Sequence, residues 1–243
     1  MGSDRASQPA GGGSPRVGAV VVAAGQSARM GGVDKTFALV RGIPLLAYAL
    51  DQLERFAPVV EIIPVLSPRM LGQGRLLARS RNYTKITRLC SGGERRQDSV
   101  HAGLKALQDC DWVIIHDGAR PCLDQEMLQR GLEAAYQCGA AVAGVPVKDT
   151  IKVVSAQGEV TNTPPRDTLW AAQTPQIFRY DLLREAHELG EGDFTDDAAM
   201  VESLGHPVRL FLGSYQNLKV TTPEDLAVVT ALLAGRGERA NPV

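Results

Sequence analysis

Between Ala23 and Lys35 the chain reads AAGQSARMGGVDK, three small residues followed by two cations, Arg29 and Lys35. Small residues let backbone N–H groups approach an anion closely, and cations fixed on the same loop add charge, so the stretch has the chemistry of a phosphate cradle. Spacing excludes two well-known loops. A dinucleotide fingerprint needs glycine two and five positions after Gly25, where Ser27 and Met30 stand. A Walker A loop needs glycine directly before Lys35-Thr36 and again at position 29, where Asp34 and Arg29 stand.

Other reactive types recur further along. Asp117 and Arg120 lie in His116-Asp117-Gly118-Ala119-Arg120-Pro121, directly after an apolar run. A carboxylate at the end of a strand can accept hydrogen bonds from a polyol or help hold a metal, or it can form a turn paired with Arg120. Gly92-Gly93 and Ser99 flank a helix start, where backbone groups and a hydroxyl can read a base edge or an anion. Lys219 alternates with Leu218 and Val220, Arg166 follows Pro164-Pro165, and Thr195-Asp196-Asp197 resembles a helix cap. Each of these has an ordinary structural reading when taken singly. No Ser-His-Asp or Cys-His arrangement is evident.

The elements that must position these residues alternate. Val17 and Ala19 to Val22 form a short apolar run, read as a strand buried on both faces. The expected order continues with a helix from Pro44 to Phe56, a strand at Val59–Leu66 with Pro64 marking an edge or bend, and a weak helix at Arg69–Arg81 interrupted by Gly72 and Gly74. A strand at Lys85–Cys90, a helix at Gln97–Gln108, a strand at Trp112–His116, a helix capped by Asp124 and a strand at Ala140–Val147 follow. This rhythm implies a mostly parallel twisted sheet flanked by helices, a Rossmann-like α/β fold. After Val147 it breaks into a hairpin around Gln157-Gly158, which has too little core to stand alone and needs another surface, a second subunit being the natural candidate. A strand near Gln176–Phe178, helices from Tyr180 and Thr195, a strand at Val208–Leu212 and a helix capped by Thr222 complete the chain.

Composition limits the function classes. The chain has 243 residues, 44% hydrophobic and 22% charged, with a formal net charge of −1. That charge argues against a nucleic-acid surface, so the local cations serve a small anionic ligand. No stretch approaches the ~20 apolar residues of a spanning helix, and residues 1–16 contain no signal-peptide core. Cys90, Cys110, Cys122 and Cys138 lack metal-ligand spacing and read as reduced thiols of a cytoplasmic protein. The expected organisation is a disordered tail at 1–16, one domain at 17–235 with an arm at about 147–168, and a flexible end at 236–243.

The pattern A-A-G-x-x-x-R-M-G followed by Lys35 resembles the loop with which sugar-phosphate nucleotidyltransferases wrap a nucleotide triphosphate. With SGGERRQDSV, HDGARP, VKDTIK, RDTLWAAQTPQ, FTDDA and NLKVTTPEDL in the same order, the chain resembles the 2-C-methyl-D-erythritol 4-phosphate cytidylyltransferases from Val17 to Leu233. The resemblance implies transfer of CMP from CTP to the methylerythritol phosphate, with release of pyrophosphate, in non-mevalonate isoprenoid synthesis. It implies that Ala23, Ala24, Gly25, Gly93 and Ser99 contact CTP and that Arg29, Lys35, Arg166 and Lys219 act in catalysis. Asp117, Arg120, Thr174, Thr195 and Lys219 are implied to line the acceptor pocket, with Thr150 and Arg166 reaching in from the arm of a homodimer partner. Mg²⁺ is the implied cofactor, held mainly by CTP phosphates rather than by protein ligands. The loop departs from the family pattern at Ser27 and in the Gly31–Asp34 run. A cytidylyltransferase for another polyol phosphate such as ribitol 5-phosphate, a uridylyl- or guanylyltransferase, and a non-catalytic nucleotide-binding protein of the same fold are the alternatives.

Overall fold

Strand β1, Val17–Ala23, shows why the apolar run had to be a strand: its side chains enter two cores. Val17, Ala19 and Val21 pack into one and Val20 into the other, as the two-residue period requires. The structure, a computed structural model, describes residues 15–25 and 34–239, with side chains to residue 235. The expectations for Arg29, Ser27 and most of the tail at 1–16 fall outside the described residues.

Short pieces β2, Leu39–Val40, and β3, Ile43–Pro44, lead into helix α1, Leu45–Arg55. Strand β4, Val59–Leu66, helix α2, Leu71–Ser80, strand β5, Cys90–Ser91, and helix α3, Arg96–Ala106, come next. Then follow strand β6, Trp112–Asp117, helix α4, Gln125–Cys138, and strand β7, Ala140–Pro146. Two short strands, β8 at Val153–Val154 and β9 at Val160–Asn162, form the hairpin, which returns into β10, Trp170–Arg179. Helices α5, Tyr180–Leu189, and α6, Asp197–Ser203, strand β11, Arg209–Leu212, and helix α7, Pro223–Arg239, complete the chain.

Among the described residues seven strands form one sheet in the order β11-β7-β10-β6-β1-β4-β5. One core contains residues of α1, α2 and α4, and the other residues of α3, α5 and α6. A smaller cluster joins Leu45 and Cys122 to Val220, Val229 and Leu233, seating α7. The fold is therefore α/β, as the element rhythm implied.

Several details differ from the sequence reading. Strand β10 runs antiparallel to both neighbours, β6 and β7. It reaches back from the hairpin without a crossover helix, and parallel pairing requires such a crossover. The expected strand at Lys85–Cys90 shrinks to β5, with an isolated bridge between Ile62 and Ile86 upstream. That gap accommodates Pro64 although β4 is not an edge strand. Ile62 N–H and Leu66 C=O bond toward the β5 side, so the donor that Pro64 lacks faces a stretch of β4 with no outer ladder. Helix α2 runs unbroken through Gly72 and Gly74, because it lies so close to the sheet that a Cβ at Gly74 would meet Leu66 Cδ1 at 2.3 Å. Helix α7 runs to Arg239. Cys90, Cys110 and Cys138 are half-buried free thiols and Cys122 is buried.

Candidate active site

The carboxyl ends of β1, β4 and β6 open onto a cleft of about 840 Å³. Strand β1 sits between β4 and β6, so the chain's outward progression reverses there, and such a reversal leaves a crevice at strand ends. Ala23, Ala24 and Gly25 line one wall with Lys35 and Thr36, and Gly92, Gly93 and Ser99 line another. Arg96, Asp117 and Lys219 also line it.

The glycine wall is held by local bonds. Ser99 Oγ accepts from Gly93 N–H at 3.2 Å and donates to the Arg95 carbonyl at 3.3 Å. The two loops touch so closely that a Cβ at Gly92 would lie 2.2 Å from Ala24 Cβ. Only glycine allows that approach. On the opposite side Asp34 caps the 3-10 turn Lys35–Phe37, its Oδ1 accepting from Thr36 N–H at 3.1 Å and Thr36 Oγ1–H at 2.6 Å. This fixes the backbone from which Lys35 enters the cleft.

Asp117 is the centre of the charged floor. Its Oδ1 accepts from Arg96 Nε at 3.3 Å, and its Oδ2 lies 2.9 Å from Lys219 Nζ and 3.6 Å from Arg120 Nε. Burial alone would raise its pKa, but Arg96, Lys219 and Arg120 hold the carboxyl well below the usual carboxylate range. The turn reading is also present, since Arg120 N–H donates to the Asp117 carbonyl at 2.9 Å.

Distant segments are stitched together to make this floor. Arg120 Nη1 donates to the Asn217 carbonyl at 2.7 Å, and Val220 N–H to the Ala119 carbonyl at 2.9 Å. Asn217, fully buried, donates from Nδ2 to the Thr174 carbonyl at 2.7 Å. These bonds, rather than a regular strand, place Lys219 beside Asp117. Thr174 Oγ1 accepts from Asp117 N–H at 3.0 Å and lies 3.1 Å from His116 Nδ1. His116 Nε2 is 3.0 Å from the Arg120 carbonyl, which can only accept, so Nε2 carries the proton and Nδ1 accepts from the threonine. Burial pushes the His116 pKa down to about 4, keeping the ring neutral.

Of the residues singled out in the sequence, Ala23, Ala24, Gly25, Lys35, Gly93, Ser99, Asp117 and Lys219 meet in one cleft. Arg120 and Thr174 lie behind it, bonded to Asp117. Thr195 is exposed and outside the cleft lining, next to Asp196, whose Oδ1 caps α6 through Ala199 N–H at 2.9 Å. Thr150 and Arg166 are exposed on the arm, with Arg166 Nη1 donating to the Lys148 carbonyl at 2.9 Å. Sequence reasoning missed Arg96, Asp197 and Asn217. Arg96 sits in a named motif, but nothing local separates it from Arg95, which also lines the cleft but pairs locally with Asp98 at 2.7 Å.

No group of three or more His, Cys, Asp or Glu among the described residues could hold a metal ion. Both Asp117 oxygens are already engaged by cations. No helix among the described residues is long and apolar enough to cross a membrane.

The profile of the 2-C-methyl-D-erythritol 4-phosphate cytidylyltransferase family matches residues 17–235. A relative of that name from Dehalococcoides mccartyi is 50% identical over 218 residues, covering 90% of this chain and 96% of the relative. Another, from Desulforamulus reducens, is 44% identical with 90% and 96% covered. The crystal structure of 4-diphosphocytidyl-2C-methyl-D-erythritol synthase from Anaerococcus prevotii superposes with a TM-score of 0.82 at 29% identity, covering 91% of this chain and 97% of the other. That of the cytidylyltransferase from Thermus thermophilus gives 0.72 at 32% identity, covering 88% and 98%.

Proposed function

The chain belongs to the 2-C-methyl-D-erythritol 4-phosphate cytidylyltransferase family, and from that premise we propose how its residues divide the work. It is a nucleotidyltransferase that takes CTP and 2-C-methyl-D-erythritol 4-phosphate to 4-diphosphocytidyl-2-C-methyl-D-erythritol and pyrophosphate. A 4-phosphate oxygen of the acceptor forms a bond to the α-phosphorus of CTP, and the bond from that phosphorus to the β-bridging oxygen breaks, releasing pyrophosphate. A phosphate monoester is already ionised at neutral pH, so no protein nucleophile or strong base is needed. What the protein must supply is neutralisation of two polyanions and of the charge that builds in the transition state.

One observation carries this reading: a cationic floor around Asp117 faces the small-residue walls of β1 and the Gly92–Gly93 loop across a single cleft. Ala23, Ala24, Gly25, Gly93 and Ser99 hold the nucleotide. Lys35, together with Arg29, stabilises the α-phosphate. In the acceptor pocket Asp117 accepts from a hydroxyl and Lys219 faces the acceptor phosphate, Arg120 and Thr174 brace Asp117 from behind, and Thr195 reaches the acceptor from outside the present cleft lining. Mg²⁺ would be held mainly by the nucleotide phosphates, where it would screen the repulsion between them.

Thr150 and Arg166 complete the site of a second subunit in a homodimer. Their support is the arm itself: Val153, Val154 and Val160 are 45%, 55% and 59% exposed, and among the described residues β8 pairs only with β9. A two-stranded ribbon of this kind is marginal in water, and burial against another copy would cover its apolar side chains. The free thiols and net charge of −1 support a cytoplasmic protein that binds neither membrane nor nucleic acid.

The test is pyrophosphate release across CTP, UTP, ATP and GTP with a panel of polyol phosphates, including ribitol 5-phosphate. Turnover is expected with CTP and the methylerythritol phosphate, and only with a divalent cation. Equal rates with UTP, a preference for another polyol phosphate, or full activity in excess chelator would contradict it.

A further inference from the structure

The floor of the cleft contains a cation used twice. Arg96, the first residue of α3, donates from Nε to Asp117 at 3.3 Å and from Nη1 to Asp197 at 2.6 Å. The two carboxylates belong to different parts of the chain, the end of β6 and the start of α6. Asp197 is 101 residues from Arg96 and only 1% exposed. Its other oxygen lies 3.2 Å from His187 Nε2, whose ring stacks on His101 at 5.7 Å. Asp117 meets Arg120 and Lys219 as well as Arg96.

A planar guanidinium can bridge two carboxylates at fixed angles, and an ammonium cannot. Desolvating two carboxylates is unfavourable unless geometry and hydrogen bonds compensate it, so this bridge tolerates few arrangements. Arg96 also lines the cleft, and its Nη2 is buried without a partner among the described residues, so its two ion pairs do not use up the guanidinium. The helix that carries Arg96 begins at the Gly92–Gly93 wall. The same side chain thus links the nucleotide wall, the strand-end carboxylate and the segment containing Thr195.

We propose that Arg96 is a positioning residue: by bridging Asp117 and Asp197 it holds the acceptor end of the cleft in register with the nucleotide wall. The proposal rests on the acceptor pocket being where the proposed function puts it. Its consequence is selective. Loss of the bridge should misplace Asp117 and the start of α6 while leaving the Ala23–Gly25 and Gly93–Ser99 contacts in place.

The experiment compares Arg96→Met, Arg96→Lys and Asp197→Asn with the unaltered protein. In Arg96→Lys the charge remains but the fork is lost, so kcat/KM for the acceptor phosphate is expected to fall about 100-fold, as misplacement of roughly an ångström does, with KM for CTP within about threefold. Asp197→Asn should show the same split. A lysine variant within about threefold of the unaltered kcat/KM for the acceptor would overturn the proposal, as would equal losses for CTP and acceptor. A second readout needs no turnover: the carboxyl carbon-13 titration of Asp117 in the free protein. Its midpoint should rise by at least about one unit in Arg96→Met, or in Arg96→Gln if the methionine variant does not fold, since both remove the cation. An unchanged midpoint would also overturn it. If the unaltered protein failed to use any polyol phosphate, the functional reading would fall, while this titration would still report whether Arg96 holds Asp117.

Discussion

The floor of the cleft and the arm are built in opposite ways. In the floor, Asp117, Arg96, Asp197, Arg120 and Asn217 are largely buried and pair with one another across segments far apart in sequence. In the arm, Val153, Val154, Val160 and Arg166 are exposed, and its internal bonds are local, such as Lys152 Nζ to Thr163 Oγ1 at 2.9 Å. The root of the arm is anchored by Tyr215 Oη donating to the Pro146 carbonyl at 2.7 Å and by Lys148 Nζ 3.7 Å over the Tyr215 ring. The ion pairs of the floor all lie within one chain. The proposal that the arm serves a second subunit rests on this exposure.

If that contrast is right, substitutions in the floor should damage folding and activity together, and substitutions in the arm should damage activity alone. The largest expected effect is from Asp117→Ala, which leaves Arg96 and Arg120 buried around a missing charge. Unfolding free energy should fall by about 3–5 kcal/mol, the usual cost of breaking a buried ion pair by removing one partner, as read by urea denaturation. A loss under about 1 kcal/mol would mean that the floor is looser than its geometry indicates.

Lys35→Ala sits between the two regions, on the cleft wall rather than in the floor. It should lower kcat about 10²–10³-fold by removing one preorganised charge, with the thermal midpoint nearly unchanged. A near-normal kcat would remove Lys35 from the reaction.

Acid should find the floor before the arm. His116 has its pKa lowered from 6.5 to about 4 in the fold, so the unfolded chain binds the extra proton between those values and stability falls as the pH drops through them. From pH 7 to pH 5 this one ring accounts for about 2 kcal/mol. Asp117, also depressed, adds to the loss below the usual carboxylate range, with the same sign. His116→Asn should show a shallower pH dependence of unfolding over that window; an identical slope would refute the assignment.

The smallest expected effect on folding is in the arm. Arg166→Ala and Val154→Ser should change unfolding of the isolated chain by no more than about 0.5 kcal/mol, because both side chains are exposed.

The same contrast sorts what could be read from the sequence. The β1 run, the glycine wall, Asp124 capping α4 and the turn at Gln157-Gly158 are local patterns, and they stand in the fold as spacing implies. Asp117 was legible because an apolar strand ends on it. Arg96 and Asp197 were not, because which member of Glu94-Arg95-Arg96 or of Thr195-Asp196-Asp197 turns inward is decided by an ion pair spanning 101 residues. Asn217 likewise acts through Thr174 and Arg120, which no local pattern reveals. The antiparallel course of β10 had a cue, the missing crossover helix between β7 and β10, and a strand that returns through a hairpin excursion can be expected to run antiparallel.

The central claim is that the floor serves its own chain's site while Arg166 serves its partner's, and mixed dimers test it directly. Arg166→Ala and Lys35→Ala homodimers should each be nearly inactive. Unfolded and refolded together, about half the dimers are mixed, and each mixed dimer has one site with both changes and one with neither, so about a quarter of the unaltered activity should return. If Arg166 acts within its own subunit, every site in the mixture keeps one defect, and properly refolded mixed dimers would show no recovery.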